Sequence, residues 1–208
     1  GILKEFHVDR LTPYFTDYCR KYSDMPFLVR LIKQDGRYVP ERFLRASDFT
    51  GTLGEANNPE WKTVAFDELT GQVVAPQGSI GFRWGEKGEW NLEQRAAETP
   101  VSLSMSMMEK RDSVLSVAFP YFGGRQHDYF AGTDHDEILM RQVPVRQLKL
   151  AEGDAYVATV FDLLCANYGV DRGLGGEHVA SSFDDDVPYT PAWQERITGV
   201  KRGSVISV

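Results

Sequence analysis

Two periodicities take turns along this chain. Tyr14, Phe15, Tyr18, Cys19 and Tyr22 recur at helical spacing, with Thr12 where a cap belongs and Pro13 where a first helical residue tolerates a missing N–H. Lys21 stands at the end of that segment, where a cation favours the helix C-terminus. Upstream, Ile2, Leu3 and Phe6 form an apolar stripe that reads as the closing turns of another helix. The pattern then changes. Phe27 to Ile32 is compact and apolar apart from Arg30 and leads through Asp35–Gly36 to Tyr38, which predicts a hairpin. Trp61 to Phe66 and Gln72 to Ala75 predict a second hairpin, beyond the turn-rich connector Gly51 to Pro59. In Ser79 to Glu93, Phe82, Trp84, Trp90 and Leu92 flank a Gly85 to Gly88 turn and predict a third. Val101, Leu103, Met105 and Met107 alternate with serines, a period of two that predicts a half-buried strand. Val114 to Phe122 reads as another strand, and Val143 to Leu150 with Tyr156 to Val160 as a further hairpin.

Helical spacing returns at Val160, Leu163, Leu164, Asn167 and Tyr168, with Gly169 placed to end the helix. Thr190 and Pro191 repeat the cap-and-proline signal before Trp193, Ile197 and a terminating Gly199. The expected architecture is α+β: an antiparallel, hairpin-rich lobe over 27–158, bracketed by helical segments at 1–26 and 159–208. No internal repeat is evident.

Composition adds constraints. The chain has 208 residues and a formal net charge of -7, enough length for one substantial core or two small lobes. The charge is local, because residues 151–190 hold eight acidic side chains and Arg172 as their single base. With no basic stripe, a nucleic-acid partner is not expected. No apolar run is long enough to span a bilayer, so direct membrane insertion is not expected either. Cys19 and Cys165 each lie in an apolar periodic segment and read as buried free thiols.

Candidate chemistry is sparse. Neither G-x-S-x-G, a Walker A loop nor G-x-G-x-x-G is present, and no catalytic or metal-binding residue is assigned. His127, Asp128, Asp134, His135, Asp136 and Glu137 are potential ligands without compact zinc spacing, and the stretch reads as a solvated loop. Asp184 to Asp186 reads as a solvent-facing turn or a subunit contact, since consecutive carboxylates rarely converge on a cation by themselves. Arg83, Trp84, Lys87 and Trp90 offer bidentate and stacking groups, compatible with a cofactor or protein interface and equally with surface salt bridges over an aromatic core.

Several long strings carry a resemblance. YFTDYCRKYSDMPFLV (Tyr14 to Val29), NNPEWKTVAF (Asn57 to Phe66), VAPQGSIGFRWGEKGEWNLE (Val74 to Glu93), FPYFGG (Phe119 to Gly124), TVFDLLCANYGVDRGL (Thr159 to Leu174) and YTPAWQERITGV (Tyr189 to Val200) resemble the alpha subunit of respiratory, membrane-bound nitrate reductases. These are molybdopterin oxidoreductases of the dimethyl sulfoxide reductase class. The resemblance implies an internal piece of a much longer α/β catalytic subunit. That subunit reduces nitrate to nitrite with electrons ultimately from quinol. The resemblance also implies a parent carrying bis-molybdopterin guanine dinucleotide with molybdenum and one 4Fe–4S cluster. Its expected partners are an iron–sulfur beta subunit and a haem-containing membrane gamma subunit, with the parent peripheral on the cytoplasmic face of the cell membrane. Neither the metal-ligating aspartate nor the cluster cysteines of that family map onto this stretch. The implied role is structural, around the cofactor cavity or at a subunit interface, with the isolated stretch inactive. Arg83, Trp84, Lys87 and Trp90, or Ser181 to Asp186, are the candidates for reaching the cofactor side. The alternative is an autonomous β-rich interaction or scaffold domain.

Overall fold

The computed structural model describes residues 1–79, 93–121 and 137–207, without the side chains of 78, 79, 93, 121 and 137. Short helix α1 (Ile2–Lys4) and a π-helical turn (Glu5–Asp9) precede α2 (Pro13–Tyr22). Next come β1 (Leu28–Gln34) and β2 (Arg37–Phe43), then β3 (Ala65–Phe66), β4 (Val73–Val74), β5 (Gln77–Ser79), β6 (Glu93–Ala96) and β7 (Thr99–Pro100). Long strands β8 (Ser113–Tyr121), β9 (Glu137–Leu150) and β10 (Gly153–Thr159) lead into α3 (Val160–Asn167), α4 (Pro191–Thr198) and α5 (Arg202–Ile206). The architecture is α+β, as expected.

Five strands close a barrel in the order β1-β10-β9-β8-β2. Four of its pairings are antiparallel, and the fifth, β2 with β8 at Tyr38 and Val117, is parallel. The β1–β2 turn forms because Asp35 and Gly36 take left-handed φ values of 49° and 80°, the pair a two-residue hairpin loop requires. Val29 and Leu31 pack with Val117, Val143 and Val145, whereas Leu28 packs with Leu44, Val64, Phe66, Leu150 and Val157. Both faces of β1 are therefore covered at Leu28, Val29 and Leu31, while Arg30 between them pairs with Glu41 at 3.5 Å and Glu152 at 3.6 Å.

The second hairpin forms as β3 with β4, Ala65 opposite Val74. Of the third, Ile80 to Leu92 lies outside the described residues; the strands flanking it, β5 and β6, pair antiparallel with Ser79 opposite Glu93. Val101 to Met107 corrects the expectation of a strand. Leu103, Met105 and Met107 are buried as the alternation implies, but among the described residues the only bridge they make is between Asp67 and Leu103. Side chains take over the backbone there: the Ser102 N–H donates to Asp67 and the Met107 N–H to Asp162.

Helix α2 forms where the spacing puts it, although the Thr12 side chain makes no capping hydrogen bond. Thr159 and Thr190 do cap, accepting from the N–H of Asp162 and Trp193, and Gly199 ends α4 in the left-handed conformation. Among the described residues no helix is long and apolar enough to cross a membrane.

Candidate functional site

The most deeply buried carboxylate among the described residues is that of Asp162, in the first turn of α3. Thr159 and Asp162 have capping-box spacing, and the Asp162 N–H donates to Thr159 Oγ1 at 3.0 Å. The carboxylate does not complete the box. It turns inward, where Oδ2 accepts from the Met107 N–H at 2.7 Å and Oδ1 from Ser106 Oγ and Arg172 Nη1, both at 2.6 Å. Asp162 is fully buried and the Arg172 side chain nearly so, with its guanidinium over the Phe161 ring. Removed from water, each charge depends on the other and on these hydrogen bonds. The cluster ties segment 106–107, helix α3 and the loop at Arg172 into one joint.

A second buried cation, Arg141, sits on the inward row of β9 with Leu139, Val143 and Val145. Its Nη1 donates to the carbonyls of Ala166 and Asn167 at 2.8 and 2.5 Å, serving the unsatisfied end of α3, where positive charge is also favoured by the helix dipole. Its Nε donates to Glu177 O at 2.9 Å and Nη2 to His178 O at 3.3 Å, which straps loop 175–178 to the strand. Gly169 and Gly176 permit this approach. A Cβ on Gly169 would lie 3.0 Å from His178 O and 3.1 Å from Arg141 Nη2, and one on Gly176 3.0 Å from Arg141 Cα.

Cys19 and Cys165 share an apolar cluster with Met105 and Phe161, and both are free. Burial pushes the Cys165 thiol up to about 12 and raises that of Cys19, so both stay protonated and are poor metal ligands at neutral pH. The acidic turn does not converge. Asp185 accepts from the Ser181 N–H and Oγ and from the Ser182 N–H, which hold its carboxyl below the usual range. Asp184 pairs with Arg202 and Asp186 with Arg196, each at 3.0 Å. Among the described residues no group of three His, Cys, Asp or Glu side chains is placed to hold a metal ion. No reaction step through a metal is assigned to the described residues.

A cleft of about 240 Å³ opens between the N-terminal turns, the end of α3 and the loop before α4, lined by Lys4, Asp171, Ser181, Phe183, Tyr189 and Pro191 among others. Lys4 is committed there, to Asp9 at 3.2 Å and to the carbonyl of Asp171 at 3.5 Å. Tyr189 holds a φ of 71°, an uncommon and strained state for a tyrosine, and its ring meets Tyr168 edge-on at 4.9 Å. The cleft can hold a small group or a neighbouring side chain. The hydroxyl of Ser181, which lines it, is committed to Asp185 at 2.9 Å.

Arg83, Trp84, Lys87 and Trp90 lie outside the described residues, as do residues 122–136. Of the Ser181 to Asp186 candidate, Ser181, Ser182 and Phe183 line the cleft. Asp162, Arg172 and Arg141 were not legible as a constellation. The one local signal was the Thr159-to-Asp162 capping-box spacing, and that signal points to a helix start.

No protein-family model matches the chain. Among curated proteins it is 54% identical to the respiratory nitrate reductase 2 alpha chain of Escherichia coli over 97% of its own length. It is 51% identical over its full length to the respiratory nitrate reductase 1 alpha chain of the same organism and 39% identical to the nitrate reductase alpha chain of Bacillus subtilis. It spans only 16 to 17% of the length of these relatives. The chain belongs to the family of respiratory nitrate reductase alpha subunits, as a segment about one sixth of their length.

Proposed function

We propose that this chain is part of the catalytic subunit of a nitrate reductase, an enzyme that reduces nitrate to nitrite with electrons ultimately from quinol. Its part in that subunit is structural: to scaffold the surroundings of the molybdenum cofactor cavity or to form a subunit interface. The observation that carries this reading is the 54% identity to a respiratory nitrate reductase alpha chain across nearly the entire segment. The parent subunit carries a molybdenum–pterin cofactor and an iron–sulfur cluster, and the protein ligands of the molybdenum and of the cluster lie outside this segment. It works with an iron–sulfur beta subunit and a haem-containing gamma subunit at the cytoplasmic face of the membrane. When bound, the cofactor supplies the redox and oxygen-transfer chemistry. The segment supplies rigid packing, anchored by the Asp162–Arg172 pair and by Arg141. Arg83, Trp84, Lys87 and Trp90 are the proposed cofactor-side residues. The segment alone, with one sixth of the polypeptide, does not turn over nitrate. A scaffold able to fold by itself is compatible with this role, and closure of the barrel favours it.

The test exchanges the matched stretch of the Escherichia coli alpha chain for this sequence and measures quinol-dependent nitrate reduction in membranes. Retained reduction is expected for the exchange, and loss for a deletion of the stretch. A deletion that reduces nitrate like the unaltered enzyme would contradict the proposal. So would an exchanged enzyme that fails to assemble, or one that assembles with full molybdenum and is inactive.

A further inference from the structure

Helix α2 is turned away from its own apolar stripe. Cys19 is its single buried residue, and half-buried Thr16 and Arg20 flank it on the side facing the body of the protein. Arg20 fixes that orientation, donating to Ser102 Oγ at 3.2 Å and pairing with Glu68 at 3.2 Å. The tyrosines point outward, with Tyr14 74%, Tyr18 53% and Tyr22 37% exposed. The outward face is already ordered, since the Tyr18 and Tyr22 rings sit 5.4 Å apart. Asp17 and Lys21 beside it neutralise each other at 3.0 Å. An uncharged row of rigid, amphipathic rings is suited to an apolar protein surface that offers partners to phenol hydroxyls.

The rest of the molecule shows the same asymmetry. Among the described residues, eleven exposed large apolar side chains lie in 1–26 and 159–207, against four in the larger barrel lobe, at Leu53, Trp61, Leu69 and Ile138. In the relatives, more than four fifths of the polypeptide lies outside the matched stretch. That polypeptide is covalently tethered to this stretch, so its effective concentration at the face reaches roughly millimolar, which a separate subunit or a second copy must match in solution.

We propose that the tyrosine face of α2 is a docking surface for the remainder of the same alpha-subunit polypeptide, occupied before any other subunit binds. This rests on the reading of the chain as an alpha-subunit segment. The test is hydroxyl-radical footprinting of Tyr14 and Tyr18 in three states: the 208-residue chain, the exchanged alpha subunit alone, and its complete complex. Labelling is expected in the chain, is lost in the alpha subunit alone, and does not fall further in the complex. Protection that arises only in the complete complex would assign the face to another subunit and overturn the proposal. Labelling that persists throughout would make it a solvent face, and protection that rises with concentration of the isolated chain would make it a self-association face; either overturns it. Tyr18→Lys should lower the Tm of the exchanged alpha subunit but not of the isolated chain, whereas Tyr18→Phe, which keeps the ring and loses only the hydroxyl, should lower the former less and leave the latter unchanged. An exchanged enzyme that reduces nitrate while its tyrosines stay labelled defeats this inference and spares the proposed function; an inactive one with protected tyrosines does the reverse.

Discussion

Helices α2 and α3 are of similar length and sit at either end of the barrel sequence, yet they use their apolar residues in opposite ways. Of the eight residues in α3, five are buried: Phe161, Asp162, Leu163, Cys165 and Ala166. Of the ten in α2, only Cys19 is. The former is locked to the barrel by packing of Leu163 and Ala166 beside Val143 and Val145 and by charges at both ends, Asp162 at its start and Arg141 at its finish. The latter is held by Cys19 in its apolar cluster, by Phe15 against Phe6 and by the polar contacts of Arg20, and leaves its tyrosines outside. The difference separates a unit that covers its own apolar surface, barrel plus α3, from helical material that leaves apolar side chains exposed.

The largest expected effect comes from breaking the α3 joint. Asp162→Ala leaves Arg172 as a buried, uncompensated charge and removes the acceptor of the Met107 N–H. It should cost about 3–5 kcal/mol in urea-induced unfolding of the isolated chain. Leu28→Ala, in the cluster between the barrel and the 44–75 segment, should cost about 2–5 kcal/mol in the same assay. Gly176→Ala places a Cβ 3.0 Å from the Arg141 backbone at a φ of 133° and should cost roughly 1–3 kcal/mol. Tyr18→Ser, on the exposed face of α2, should change the stability of the isolated chain by less than about 0.5 kcal/mol. A loss at Tyr18 as large as that at Leu28 would erase the distinction between the two regions.

A pH titration sharpens it further. Burial opposes ionisation of Asp67, but the Thr70 hydroxyl at 2.7 Å and the N–H groups of Ser102 and Thr70 at 3.0 Å outweigh it and hold the carboxyl below the usual range. Its folded pKa is depressed, so the stability it contributes is fully present above the unfolded value near 3.9 and is lost as pH falls through the folded one. Thermal unfolding between pH 5 and 2 should show Asp67→Asn less sensitive to acid than the unaltered chain.

The elements whose cause is local were legible. Asp35–Gly36, Thr190–Pro191 and Gly199 specify their turn, start and stop through backbone preferences of a few residues. The apolar stripe of α2 was legible as a helix, but its orientation was not, because burial depends on what stands opposite. The serine alternation at 101–107 suggested a strand; what overrode it was a carboxylate 55 residues away, at Asp162, capturing the Met107 N–H. Arg141 had no sequence signal either: a cation on the inward row of a strand is tolerable only because the end of α3 and loop 176–178 bring carbonyls to it. The proposed site residues Arg83, Trp84, Lys87 and Trp90 rest on side-chain chemistry and resemblance alone.

The contrast between the two regions is tested most directly by native-state hydrogen exchange on the isolated chain. The account predicts that amides of β1, β8, β9, β10 and α3 exchange together, at the free energy of global unfolding, while those of α2 and α5 open separately and far more readily. Exchange of α2 amides in step with the barrel would show that the helix is already part of one cooperative core, and would contradict the account.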